Sequence, residues 1–200
     1  MTQDNQQQTT TATHSENSAP TDTSSSCLGM TSSSVRTLAE TSDYTDDDRR
    51  FMNMAIQLSI DNIDNGGGPF GAVVVKDGEV VATGSNRVVP NCDPTAHAEV
   101  MAVRAACQKT GNFKLEGCTI YSSCEPCPMC LSALYWAGIR RICYANTKDD
   151  AHAINFSDAF IYEQLSLDYD CRSIRCDHFM REEALQAFRK WEEKDDKVRY

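Results

Sequence analysis

No stretch of this 200-residue chain is long and apolar enough to span a bilayer. Its first residues, Met1-Thr2-Gln3-Asp4-Asn5, lack the basic region and apolar core of a secretory leader. Positive charge is scarce, with 19 Lys and Arg against 29 Asp and Glu and a net charge of −10. Part of the excess lies near the N-terminus, where Arg36 stands against Asp4, Glu16, Asp22, Glu40 and Asp43. The rest of the chain is acidic too. Nucleic-acid binding draws most of its affinity from Lys and Arg on phosphates, so this balance disfavours a long polyanionic partner. Residues 1–45 are rich in Gln, Thr, Ser and Asn and poor in aliphatics. They cannot bury enough apolar surface to offset the entropy of ordering. The expectation is a disordered arm over 1–45 and one domain over 46–200.

Cysteine, in contrast, is plentiful, with ten in the chain. Without a secretory leader these read as thiols of a reducing compartment, available to metal or packed as small apolar groups. The expected location is the cytoplasm. Hydrophobic residues make up 40% of the chain, enough for a core.

Asp46-Asp47-Asp48 places negative charge at a helix start. Phe51, Met54, Ala55, Leu58 and Ile63 then recur at helical spacing, and Gly66-Gly67-Gly68-Pro69 ends the helix. Phe70 to Lys76 reads as a strand, Asp77-Gly78 as a tight hairpin turn, and Glu79 to Val88 as the returning strand. After a loop from Val89 to Thr95, the pattern predicts a helix from Ala96 to Lys109. Strands follow at Cys118–Ser122 and Arg140–Tyr144, with a helix at Cys127–Ala137 between them. Beyond these come a short helix over Phe156–Leu165, a fifth strand over Ile174–Phe179 and a last helix over Arg181–Glu193. This order predicts an α/β fold with helices on both faces of a mixed five-stranded sheet.

Two short stretches carry chemistry. His97-Ala98-Glu99 and Pro126-Cys127-Pro128-Met129-Cys130 supply one imidazole, two thiols and a spare carboxylate, all at or near predicted helix starts. Helix N-termini lower thiol pKa values, and residues at i and i+3 lie on one helix face, so Cys127 and Cys130 can meet one metal. Zinc is normally four-coordinate, and a catalytic zinc keeps one position open for water. His97, Cys127 and Cys130 are therefore the expected zinc ligands. Glu99 is the expected proton carrier as water attacks an electron-poor ring carbon. A closed structural zinc using Cys124 or Cys92 as fourth ligand is the bland alternative. His14, His152 and His178 read as surface histidines. Arg140-Arg141 reads as a solvated strand edge rather than a phosphate contact.

The pattern H-x-E followed by P-C-x-x-C marks zinc nucleobase deaminases. Pro69-Phe70-Gly71-Ala72-Val73-Val74-Val75, Gly84-Ser85-Asn86 and Asp93-Pro94-Thr95-Ala96-His97-Ala98-Glu99-Val100 precede Ser123-Cys124-Glu125-Pro126-Cys127-Pro128-Met129-Cys130. From Asp46 to Tyr200 the chain resembles the cytidine-deaminase-like superfamily, and within it the bacterial-type guanine deaminases. The quoted elements are shared with bacterial tRNA adenosine deaminases. Leu134-Tyr135-Trp136-Ala137, Phe156-Ser157-Asp158-Ala159-Phe160-Ile161-Tyr162 and the terminal Tyr200 resemble the guanine deaminases in particular, with Ser157 where their run has its first Asp.

The resemblance implies a three-layer α/β/α cytidine-deaminase-like fold and zinc-dependent hydrolysis of guanine to xanthine and ammonia. Asn86, Phe70, Trp136, Ala98 and Tyr200 would then bind the purine. Asp158 would act beside Glu99 by reading ring N–H groups. It also implies a homodimer whose C-terminal segment, Phe156 to Tyr200, is swapped and closes the partner's site. Read from the residues alone, Trp136 could be core, Asn86 a turn residue and Asp158 a helix cap. Rival functions are deamination of guanosine, of adenosine in tRNA, or of cytosine or cytidine. A non-catalytic zinc-stabilised scaffold is the alternative of another class.

Overall fold

The computed structural model describes residues 44–199. Apart from Tyr44 and Thr45, the predicted arm lies outside them, as does Tyr200. Helix α1, Asp46–Asp64, starts on a capping box in which Thr45 and Asp48 satisfy each other's backbone N–H. Strands β1, Gly71–Lys76, and β2, Glu79–Ser85, form the expected hairpin. Asp77 and Gly78 both adopt positive φ, as a two-residue turn of this hand needs. One helical turn, α2 (Val88–Asn91), follows, then α3 (Ala98–Thr110), β3 (Thr119–Cys124), α4 (Pro128–Ala137) and β4 (Arg141–Asn146). Beyond the sheet lie α5 (Lys148–Ala153), α6 (Ala159–Ser166), a 3-10 turn at Tyr169–Cys171 and α7 (Arg181–Glu192).

The sheet order is β2-β1-β3-β4. β1 runs antiparallel to both neighbours, while β3 and β4 are parallel and joined by the α4 crossover. In β1 successive side chains alternate between two buried faces. Val73 and Val75 meet Phe51 and Ala55 of α1, with Tyr121 beside them. Ala72 and Val74 meet Ala98, Ala102 and Ala106 of α3, with Ile120 and Leu134. This is the expected three-layer arrangement. The small face of α3 lies close on β2: a methyl group on Gly84 would come within 2.3 Å of the Ala98 carbonyl oxygen.

The first correction concerns the sheet. Among the described residues it has four strands, not five. Ile174–Phe179 is irregular, and Ile174 and Phe179 are exposed. Alternating apolar residues make a strand only where a neighbouring edge accepts their backbone hydrogen bonds, and this segment pairs with none. The second concerns α1, whose buried row is Asp48, Phe51, Ala55, Ser59 and Asn62, while Ile63 faces solvent. Helix α5 was not predicted, although Thr147 and Asp150 form a capping box at its start.

Asp48 ties the layers together. Its carboxylate accepts hydrogen bonds from the Tyr121 hydroxyl at 2.6 Å and from Arg141 at 2.7 Å. Burial opposes its charge, but the bonds from Arg141, Tyr121 and Thr45 outweigh burial and hold its pKa well below the usual carboxylate range. A carboxyl depressed in the folded state stabilises above its unfolded pKa and loses that contribution as pH falls. Asp48→Asn is therefore expected to cost ~1 kcal/mol at pH 7, since the buried partner of the pair is neutralised while the exposed Arg141 remains screened by solvent. The gap to the parent protein should narrow below about pH 4. Urea unfolding at pH 7 and pH 3 checks this; an equal gap at both values would refute it.

Candidate active site

The site gathers at one end of the sheet, where the chain enters β1 and leaves β2 and β3 and helices α3 and α4 begin. His97 is the N-cap of α3, with extended backbone angles of φ −70° and ψ 157°. The turn before it is held by Asp93, which accepts from the Thr95 N–H at 2.8 Å and hydroxyl at 2.6 Å. Cys127 is the N-cap of α4, followed by Pro128 in the first turn, where a missing N–H costs nothing. Cys130 lies one turn on, fully buried.

These three converge. His97 Nδ1 lies 3.6 Å from Cys127 Sγ and 3.5 Å from Cys130 Sγ, and all three ligand atoms fall within 4.8 Å of one another. Zinc–sulfur bonds of ~2.3 Å and zinc–nitrogen bonds of ~2.0–2.1 Å at a tetrahedral angle place N and S ~3.6 Å apart. The donor set and its spacing thus fit zinc. Cys127 is held below the ordinary thiol range, first by its hydrogen bond with Cys130, against burial, and then by His97. The same bond pushes the Cys130 thiol up. A dication replaces such protons, because thiols and imidazole bind metal deprotonated.

Glu99, the second residue of α3, is 6% exposed. Its Oε1 accepts the Ser122 hydroxyl at 3.1 Å. Burial, its largest influence, raises its pKa, so the carboxyl takes up a proton more readily than a solvated one. Glu99, His97 and Cys127 line a cavity of about 570 Å³, a size usual for small-molecule sites.

Of the remaining residues singled out from sequence, the structure brings Asn86, Phe70 and Asp158 to this cavity. Asn86 is buried, and its Oδ1 accepts the Val88 N–H at 3.3 Å, an Asx-type turn bond. Asp158 occupies the N-cap of α6 but makes no capping bond with its side chain, and burial is the main influence raising its pKa. Trp136 stands 64% exposed on the outer side of α4, away from the cavity lining. The Ala98 methyl packs in the core. Tyr200 lies outside the described residues. Cys124 is not part of the metal-ligand cluster; its Sγ reaches the Thr147 carbonyl at 3.5 Å.

The lining also includes residues that the sequence reading assigned no role. Phe156 packs edge-on against Phe70 with ring centroids 5.1 Å apart. Glu125 and Lys148 border the cavity, and the Lys148 N–H donates to Glu125 Oε2 at 3.1 Å. The loop Gly66-Gly67-Gly68 forms part of the rim. Phe156 lay inside a quoted aromatic run, but nothing local says that it meets a ring 86 positions away.

A three-layer sandwich whose helix starts present His, Cys and Cys beside a buried carboxylate defines a zinc-dependent deaminase. Residues 45–146 match the model of the cytidine and deoxycytidylate deaminase zinc-binding region, and the chain belongs to that family. Within it, the chain is similar to the guanine deaminase of Bacillus subtilis, at 43% identity over 151 residues, 75% of this chain and 97% of that protein. The crystal structure of that enzyme superposes with a TM-score of 0.74 at 42% identity, over 76% of this chain and 98% of its own. Guanine deaminase from Nitrosomonas europaea superposes with a TM-score of 0.54 at 31% identity, over 72% of each chain. The tRNA-specific adenosine deaminase of Aquifex aeolicus is 37% identical over 95 residues, covering 48% of this chain and 63% of that protein. No helix among the described residues is long and apolar enough to cross a membrane.

Proposed function

We propose that the chain converts guanine and water to xanthine and ammonia. The observation that carries this reading is the joint one of the His97, Cys127, Cys130 and Glu99 geometry and a similarity to guanine deaminase that covers 75% of this chain and 97% of that protein. The tRNA deaminase match covers less than half of this chain, and the net charge of −10 does not suit an RNA partner.

His97, Cys127 and Cys130 hold the zinc. When bound, zinc acts as a Lewis acid that brings the pKa of water to ~7. Glu99 accepts a proton as the water oxygen adds to guanine C2 and delivers it to N3. It then carries the remaining hydroxyl proton to the amino group, which leaves as ammonia, so C2 becomes the carbonyl of xanthine. Asn86 and Asp158 pair with the purine edge, and Phe70 stacks its ring, supported by Phe156. Unpaired buried polar groups are costly, so such a pocket rejects a base lacking the matching groups. Ala98 offers backbone rather than side-chain contact.

The same reading makes the protein a cytoplasmic homodimer with its C-terminal segment exchanged. Beyond β4, α5, α6 and α7 make at most sparse contacts with the sheet and its helices. Phe160, Leu165, Phe179 and Phe188 are exposed along this segment, and so are Tyr135, Trp136 and Tyr144 on the outer side of the domain. Apolar surface on this scale favours a partner. A second subunit laid over it would bring Tyr200 and Trp136 to a site.

Zinc-loaded protein incubated with guanine, guanosine, 2′-deoxyguanosine, adenine, cytosine and cytidine is expected to release ammonia from guanine alone. Release from guanosine and not guanine would overturn the free-base reading. Silence on all six would overturn the proposal.

A further inference from the structure

Asn62 is a polar residue in the middle of a packed face, 3% exposed near the end of α1. Its amide nitrogen donates to two backbone carbonyls at once, those of Gly68 and Asn86, each at 2.8 Å. The Asn62 backbone carbonyl accepts from the Asn65 and Gly67 N–H groups at 3.1 and 3.0 Å. The loop wraps so tightly that a methyl on Gly67 would lie 2.2 Å from both Asn62 Nδ2 and the Asn86 carbonyl oxygen. One side chain thus joins three separate pieces of chain: the end of a helix, a glycine loop and the residue following β2. The Asn86 N–H in turn donates to the Phe70 carbonyl at 3.1 Å, and the Phe70 N–H to that of Gly68 at 2.8 Å. The cluster therefore connects Asn86, Phe70 and Gly68, all of which border the cavity, while Asn62 itself does not.

We infer that Asn62 is a positioning residue that sets substrate affinity by fixing the backbone of Asn86. This rests on the reading of Asn86 as a contact to the purine. The physical reason is donor count. Only an amide or a cation offers two N–H bonds from one atom to two carbonyls in a space this small, and an asparagine does so without charge. Two carbonyls converging on one point repel each other unless a shared donor lies between them. Without it, the glycine loop and Asn86 move apart. A binding group displaced by a fraction of an ångström loses its hydrogen-bond geometry. The metal ligands lie on α3 and α4, so zinc binding should not depend on Asn62.

The test is a double-mutant cycle on the zinc-loaded full chain with guanine as substrate. Asn62→Asp keeps the shape but cannot serve both carbonyls: protonated it donates one bond, and ionised it donates none. It is expected to raise KM ~10-fold with kcat within about threefold and zinc content unchanged, since hydrogen bonds here act on binding rather than on the reacting atoms. In an Asn86→Ala background the same change should add less than about twofold, because coupled residues are not additive. An equal effect in both backgrounds, or an unchanged KM in the single variant, would overturn the inference. Should Asn62→Asp fail to fold by circular dichroism, Gly67→Ala, which forces a methyl into the same contact, takes its place in the cycle. Loss of fold in both would assign the cluster to stability and overturn the inference as well. Asn86→Ala with an unchanged KM would instead overturn the reading of Asn86. Normal dependence on Asn86 with none on Asn62 would overturn the positioning role only.

Discussion

Glu99→Gln is expected to lower turnover of guanine by ~10²–10⁴, the usual range for removing a positioned general acid–base. The amide keeps the shape of the side chain and can still accept the Ser122 hydroxyl, which now lies 3.1 Å from Oε1. What it loses is the capacity to take a proton from water and return it to the base. Burial already biases the carboxyl towards proton uptake, and a carboxyl placed between water and substrate with a raised pKa is suited to shuttling. The metal ligands are untouched, so zinc content and circular dichroism should match the parent protein. Ammonia release and metal analysis on the same sample decide it. Unchanged turnover would refute the role given to Glu99, whereas loss of zinc together with turnover would make Glu99 a structural residue.

Removing the metal should have an equally large effect on activity and a further one on stability. Chelation is expected to abolish ammonia release, and added zinc to restore it. Cys130→Ser should lose zinc and activity together, because Cys130 is fully buried and is one of three candidate metal ligands that cluster among the described residues. The site brings α3 and α4 together at their starts, and zinc binds the folded arrangement far better than an unfolded chain. At a thousandfold excess over Kd such a ligand stabilises by ~4 kcal/mol, which for a domain of this size corresponds to a fall in Tm of roughly 8–16 °C on removal. Calorimetry with and without chelator measures it. Full activity in metal-free protein would refute zinc dependence, and an unchanged Tm would show that the site forms without linking the helices.

Particular residues show what sequence could and could not reveal. The hairpin was legible because Asp77-Gly78 specifies its own turn. The start of α1 was legible because charge and capping act within one turn of helix. Thr147 and Asp150 spell a capping box in the sequence, but the six residues of α5 carry no apolar periodicity to mark a helix after it. The predicted fifth strand failed for the opposite reason: Ile174–Phe179 has a strand-like pattern, but a strand exists only where an edge receives it. Asn62 is the clearest case. An asparagine in a helix reads as a surface residue, whereas here it serves a carbonyl 24 positions away.

What the sequence by itself determined was the set of residues that could hold a zinc ion. Metal ligands need particular atoms, and the spacing of Cys127 and Cys130 on one helix start is a local matter, as is the single residue between His97 and Glu99. Only the tertiary structure decided how these pieces meet. The His97–cysteine distances, the contact of Phe70 with Phe156 and the link from Asn62 to Asn86 all depend on the strand order β2-β1-β3-β4 and on helices packed against both faces. Such contacts join residues far apart in the chain, and burial across the whole sheet rather than any local preference sets where they fall.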